Sequence, residues 1–68
     1  RKVFSWASER IRDEFQPATW KAFWMTAVDG DSASDVGRKL DMSPGAVYVA
    51  KSRVLARLRE EINQLDAS

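Results

Sequence analysis

Four residues of the last predicted helix could contact the edges of nucleic-acid bases: Tyr48, Val49, Ser52 and Arg53. On a helical wheel with Val47 facing inward, they occupy the outward side, with Tyr48 near one edge and Arg53 near the other. Arg53 could hydrogen-bond a guanine or a phosphate, Ser52 a base edge or a phosphate, and Val49 could pack against a thymine methyl. Tyr48 could make either a polar or an apolar contact.

A second group of residues could hold phosphates, which fixes the register of a protein on DNA without reading its sequence. This group consists of Lys21, Arg38, Lys39, Ser43, Lys51 and Arg57. The formal net charge is only +1, but residues 38–59 carry six cations and one anion, whereas residues 1–37 carry five cations and six anions. A solvated helix face would give the same charge pattern, so the turn that precedes this helix must decide between the two interpretations.

Four helices are predicted to position these residues. The apolar stripe of the first helix is Phe4, Ala7, Ile11 and Phe15. The second helix begins at Pro17, where the missing N–H costs nothing, and its predicted core side is Trp20, Phe23, Trp24, Ala27 and Val28. Trp6 lies off the first stripe and could be exposed, where it could form part of a surface that docks a partner.

The third helix and the turn that follows it carry the strongest local signals. Ser32, three residues before Asp35, resembles a capping box that starts a helix running to about Leu40, with Val36 and Leu40 buried. Gly37 lies on its inner side, where we expect the next helix to cross so closely that a side chain larger than Ala would separate the two.

The turn itself is Asp41-Met42-Ser43. Asp41 tolerates a left-handed conformation, and Met42 is expected to plug the space between the helices. Ser43 would cap the fourth helix, with Pro44 at its first position.

The fourth helix has one continuous apolar stripe, made of Val47, Ala50, Val54, Leu58 and Ile62, and could run to about Leu65. We therefore predict a single all-α domain over residues 1–68, with four helices, no wing, and a helix-turn-helix in residues 32–58. Because the chain starts with Arg1 and not Met, we expect it to be a piece of a longer protein.

The composition excludes several kinds of site. The 68 residues include no Cys and no His, which rules out disulfides, zinc fingers, thiol catalysis and imidazole catalysis. The apolar runs of the chain are too short to span a membrane. No pair of the remaining reactive groups converges on a pocket that the sequence reveals, so we expect neither an enzyme nor a cofactor.

These motifs resemble region 4 of bacterial sigma factors of the extracytoplasmic-function group. A family segment close to Leu-Pro-x-x-Tyr-Arg-x-x-Phe is matched by residues 16–24, QPATWKAFW, and a pattern like Glu-Ile-Ala-x-x-Leu-Gly-x-Ser-x-Gly-Thr-Val-Lys by residues 35–48, DVGRKLDMSPGAVY. The resemblance implies a cytoplasmic domain that recognises the minus-35 promoter element in transcription initiation and docks on the β-subunit flap of RNA polymerase. It also places Lys21 at a backbone-contacting position and the four outward residues of the last helix at base-facing ones.

The chain departs from the family pattern at several positions. Asp41 replaces the usual Gly of the turn, Tyr48 replaces a basic residue, and Ala50-Lys51 stands where Arg-Leu is common. The resulting shortage of cations close to the DNA groove implies that the isolated domain binds DNA weakly.

Two other functions remain open from the sequence. A LuxR-type response-regulator domain has a similar four-helix layout and usually dimerises through its last helix. A protein-interaction bundle could instead use its basic stripe to bind an acidic partner such as an anti-sigma factor.

Overall fold

The computed structural model describes the backbone of residues 2–67 and the side chains of residues 3–65. The elements are α1 (Lys2–Ile11), a short 3-10 helix (Arg12–Glu14), α2 (Pro17–Ala27), α3 (Ala33–Leu40) and α4 (Pro44–Ala67). These residues contain four α-helices and no strand, which confirms the all-α prediction. Within the same range, none of the helices combines the length and the apolar character that crossing a membrane requires.

Two serines start the helices of the helix-turn-helix, as the sequence predicts. The Ser32 hydroxyl accepts a hydrogen bond from the Asp35 amide at 3.1 Å, and the Ser43 hydroxyl accepts one from the Ala46 amide at 3.1 Å. Only half of the expected capping box forms at α3, because the Asp35 carboxylate pairs with Arg38 within the helix. Both helices therefore begin where the sequence placed them.

The interior consists of two hydrophobic clusters. The first cluster joins α1, α2 and α4 through Ala7, Ile11, Phe23, Val54 and Leu58. The second cluster joins α2, α3 and α4 through Ala22, Val36, Val47 and Ala50. Since α4 contributes to both, this 24-residue helix is the element against which the others pack. The predicted α4 stripe is confirmed, with its last member, Ile62, half-buried against the first cluster.

The predicted core side of α2 is partly wrong. Phe23 is fully buried and Trp20 half-buried, but Ala27 is exposed, and Trp24 and Val28 are 37% and 45% exposed. The helix ends at Ala27, so its periodicity does not extend to Val28. The buried side is rotated toward Ala22, which is followed on the same side by Met25 and Thr26. Thr26 fits there because its hydroxyl donates to the Ala22 carbonyl at 2.7 Å.

An ion-pair cluster attaches α1 and the 3-10 helix to the second half of α4. The Glu61 carboxylate, whose side chain is only 5% exposed, lies 2.6 Å from Arg10 Nε and 3.0 Å from an Arg57 nitrogen. Arg57 also makes two hydrogen bonds to the Glu14 carboxylate, at 2.8 and 3.0 Å. The hydrogen bond from Arg10 holds the pKa of Glu61 below its ordinary value of 4.5; burial opposes this shift, and Arg57 reinforces it.

Trp6 is 40% exposed, as expected. The Arg10 guanidinium lies 4.9 Å from the centre of its ring, within the range of a cation–π contact. Trp6 therefore belongs to the outer surface of α1 and contributes to neither cluster.

Candidate nucleic-acid interface

The turn between α3 and α4 is tighter than the sequence indicates. Asp41 adopts the predicted left-handed conformation, with φ of 58°. A Cβ atom on Gly37 would overlap the carbonyl oxygen of Met42 and approach the backbone nitrogen of Pro44 to 3.7 Å. The start of α4 does come close to Gly37, as expected, because Pro44 is its first residue. The nearest neighbour, however, is the backbone of the turn, so the expectation that Ala would still fit is wrong. This contact fixes the direction in which α4 leaves α3.

The turn orients α4 so that one side of its N-terminal half is exposed. Tyr48 and Val49 are 61% and 51% exposed, and Ser52 and Arg53 are exposed as well. The structure thus brings the four predicted base-facing residues onto one open surface. Their neighbours on that surface, Gly45 and Ala56, are small and exposed, which permits the close approach that contact with base edges requires.

One side of this surface borders a depression between α2 and α4. We call it the α2–α4 depression, and its lining residues are Thr19, Met42, Ala46, Val49, Ala50 and Arg53. Two of these, Thr19 and Ala46, were missed by sequence reasoning. The position of Thr19 follows from the rotated packing of α2, because Thr19 lies one turn before Ala22 on the same side of that helix.

The expected phosphate-binding residues differ in whether their side chains are already paired with a carboxylate. Among the described side chains, Lys21, Lys51, Arg53 and Arg59 make no ion pair. Arg38 pairs with Asp35, and Lys39 Nζ lies 3.7 Å from an Asp31 oxygen. Such exposed pairs are worth only about 0–1 kcal/mol, so Arg38 and Lys39 can exchange these carboxylates for a phosphate. Ser43 also keeps its hydroxyl hydrogen for donation, since its cap bond uses the oxygen as acceptor.

Arg57 is placed differently from the expectation. It lies within 4.0 Å of carboxylate oxygens of Glu14, Glu60 and Glu61. A cation held by three carboxylates has little attraction left for a phosphate, so the structure disfavours the phosphate role expected for it. Arg59 is a better candidate that the sequence reasoning did not select. It is exposed and, by helical spacing, lies on the side of Tyr48 and Ser52.

Lys21 lies on the side of α2 that faces α1. It contributes to a groove between these helices, the α1–α2 groove, lined by Ser5, Ser8, Glu9, Arg12, Trp20, Lys21, Trp24 and Met25. The hydroxyl of Ser8 is buried and has no hydrogen-bond partner among the described residues. The structure therefore does not bring Lys21 together with the residues of the α2–α4 depression.

Comparisons of the chain with protein-family models, with curated proteins and with solved structures found no match.

Proposed function

We propose that this domain binds double-stranded promoter DNA, with the N-terminal half of α4 in the major groove, as the minus-35 reader of a sigma factor of the extracytoplasmic-function group. The observation that carries the proposal is the exposed surface of Tyr48, Val49, Ser52 and Arg53, held outward by the tight turn at Gly37 and Met42. A helix-turn-helix presents its second helix to the major groove in this way.

The chemistry of the surface supports this proposal. Arg53 is exposed, makes no ion pair with any described carboxylate, and has the forked donor geometry that suits the two acceptors of guanine. Ser52 and Tyr48 add hydroxyl groups, and Val49 adds an apolar contact. Lys51 and Arg59 on the same helix, with Arg38 and Lys39 on α3, supply positive charge for the phosphates.

The small number of unpaired cations among the described residues is consistent with a domain that binds DNA together with other domains. In a sigma factor, a second promoter-reading domain and the polymerase would hold the DNA at the same time, so that linked weak contacts add through effective concentration. The α1–α2 groove, with Trp20, Trp24 and Met25 in its walls, is the surface we assign to docking on the flap of the polymerase β subunit.

The test is a titration of labelled duplex DNA with the 68-residue chain at two salt concentrations, using duplexes selected from a random pool. We expect affinity to fall as salt rises, because phosphate contacts release counterions. Arg53→Ala should change the preferred sequence, whereas Arg12→Ala, which removes the same charge from an exposed position outside the surface, should not.

Two results would contradict the proposal. One is the absence of salt-dependent binding, even when the chain is tethered beside the test duplex through a second DNA-binding domain. The other is an unchanged sequence preference in the Arg53 variant, which would remove Arg53 from the base-reading residues.

A second candidate function is protein binding alone, and the α1–α2 groove favours it. That groove is concave, carries two tryptophans and contains a buried hydroxyl without a described partner. Tight binding of an acidic partner such as an anti-sigma factor, without any binding of DNA, would support this alternative. A stable dimer in solution would instead favour the LuxR-type domain.

A further inference from the structure

The α2–α4 depression is lined mostly by apolar residues, Met42, Ala46, Val49 and Ala50. Its two polar lining residues are Thr19 and Arg53, and none of the lining residues carries a carboxylate. It opens onto the surface proposed to face DNA, because Val49 and Arg53 belong to both. A group that packs against its lining should be apolar and adjacent to something that Arg53 can bind.

We propose that this depression receives the 5-methyl group of a pyrimidine in the major groove, beside the base or phosphate that Arg53 contacts. The inference rests on the proposed DNA-binding function. Among the groups on the major-groove edges of the four base pairs, the thymine methyl is the apolar one. A 5-methylcytosine presents the same group at the same place, so either base could supply it.

The depression differs from a single apolar contact on a recognition helix. Val49 is only one of its lining residues, Ala46 and Ala50 lie on the same helix, and Thr19 comes from α2. The packing of α2 against α4 through Ala22 and Ala50 in the second cluster therefore determines the width of the site. By this inference α2, and not only the recognition helix, takes part in discriminating between bases.

The test replaces each thymine of a selected duplex, one at a time, by uracil, which removes the methyl group and leaves the hydrogen-bonding edge intact. Burying one methyl-sized group is worth about fourfold in affinity. We therefore expect one substitution to weaken binding by about fourfold and the others to have smaller effects. At the sensitive position, cytosine and 5-methylcytosine are then compared.

Two matched variants locate the contact. Ala46→Leu should fill the depression and abolish the difference between thymine and uracil, whereas Ala27→Leu, the same change at an exposed alanine of α2 outside the depression, should preserve it. Thermal unfolding of both variants would verify that each is folded.

Each outcome decides one of the questions. Equal affinity for thymine and uracil at every position, with salt-dependent binding intact, would overturn the methyl site and leave the proposed function standing. Absence of salt-dependent binding would overturn both. A thymine preference that survives in Ala46→Leu would place the contact elsewhere and overturn the assignment. If methylating cytosine raised the affinity, the site would be assigned to the methyl group on either base. If it did not, and thymine were still preferred over uracil, the site would be assigned to thymine.

Discussion

The carbonyl oxygen of Met42 lies too close to Gly37 for a Cβ atom on Gly37 to fit, and the Met42 amide donates a 2.8 Å hydrogen bond to the Gly37 carbonyl. At Gly37, α3 and the turn are therefore in direct contact through backbone atoms. Backbone atoms cannot move aside as a flexible side chain can, so the angle between α3 and α4 depends on the absence of a side chain at Gly37.

Replacing Gly37 by Ala should destabilise the domain. The overlap forces the turn to shift, and overpacking of this kind costs about 1–3 kcal/mol, a large part of the stability of a domain of this size. Gly45→Ala is the matched control, because the nearest atom to its Cβ would be the Ser43 hydroxyl oxygen at 4.0 Å. Gly45 is the second residue of α4, so its replacement should raise stability by less than the roughly 0.5–1 kcal/mol that applies in the middle of a helix. Urea denaturation followed by circular dichroism measures both, and equal effects would contradict the prediction.

Replacing Asp41 by Gly should stabilise the domain by up to about 1 kcal/mol. Asp41 has a φ of 58°, a conformation that costs a residue with a Cβ atom free energy and glycine very little. Asp41→Ala removes the same charge but keeps the Cβ atom, so it should be less stable than the glycine variant. Melting temperatures of the two variants decide the matter, and an alanine variant as stable as the glycine one would exclude backbone strain as the cause.

Acid should weaken the attachment of α1 to α4. The pKa of Glu61 is lower in the folded protein than its ordinary value of 4.5, chiefly because of the hydrogen bond from Arg10. The contribution of the ionised Glu61 carboxylate to stability is therefore present above about pH 4.5, and it is lost as pH falls through the lower pKa of the folded protein. Denaturant titrations between pH 7 and pH 3 should show this loss, and Glu61→Gln should remove part of the dependence.

Glu60→Gln is the control for this experiment. Glu60 is 70% exposed, and its carboxylate lies 3.8 Å from an Arg57 nitrogen. Its replacement should therefore leave the pH dependence of stability nearly unchanged. If the two variants lost the same amount of pH dependence, the buried position of Glu61 would have no special role.

Arg59 and Arg57 should differ in their effect on DNA binding. Each phosphate contact contributes about 0.9 to the slope of log affinity against log salt concentration. Arg59→Ala should lower the slope by about that amount, since Arg59 makes no ion pair with a described carboxylate. Arg57→Ala should leave the slope unchanged and reduce stability, because its partners are Glu14, Glu60 and Glu61. The opposite pattern in a salt titration would return the phosphate role to Arg57.

The sequence predicts the helix-turn-helix well because its signals are local. Ser32 and Ser43 cap helices through contacts three residues away, and the apolar spacing of α4 repeats for four turns. The exposed surface of Tyr48 and Arg53 follows from that spacing. Features of this kind depend on neighbouring residues, which a single chain displays directly.

What the sequence could not predict depends on contacts between distant residues. The pairing of Arg57 with Glu14 spans 43 positions, and no local pattern predicts it. The partners of Arg57 at i+3 and i+4, Glu60 and Glu61, are local and could have been read from the sequence. Arg59 has Ile62 and Asn63 at the same spacings. The rotation of α2 toward Ala22 depends on the placement of α3 and α4. The α2–α4 depression has the same origin, since Thr19 meets Val49 only after the helices have packed.

The four outward residues of α4 belong to neither hydrophobic cluster, although the helix that carries them belongs to both. Exposed substitutions of this kind usually change stability by less than about 0.5 kcal/mol. Tyr48, Val49, Ser52 and Arg53 are therefore free to vary while the scaffold remains intact. On the proposed function, duplicated copies of such a domain could diverge in the genes they control through a few surface changes, without first having to acquire compensating mutations in the interior.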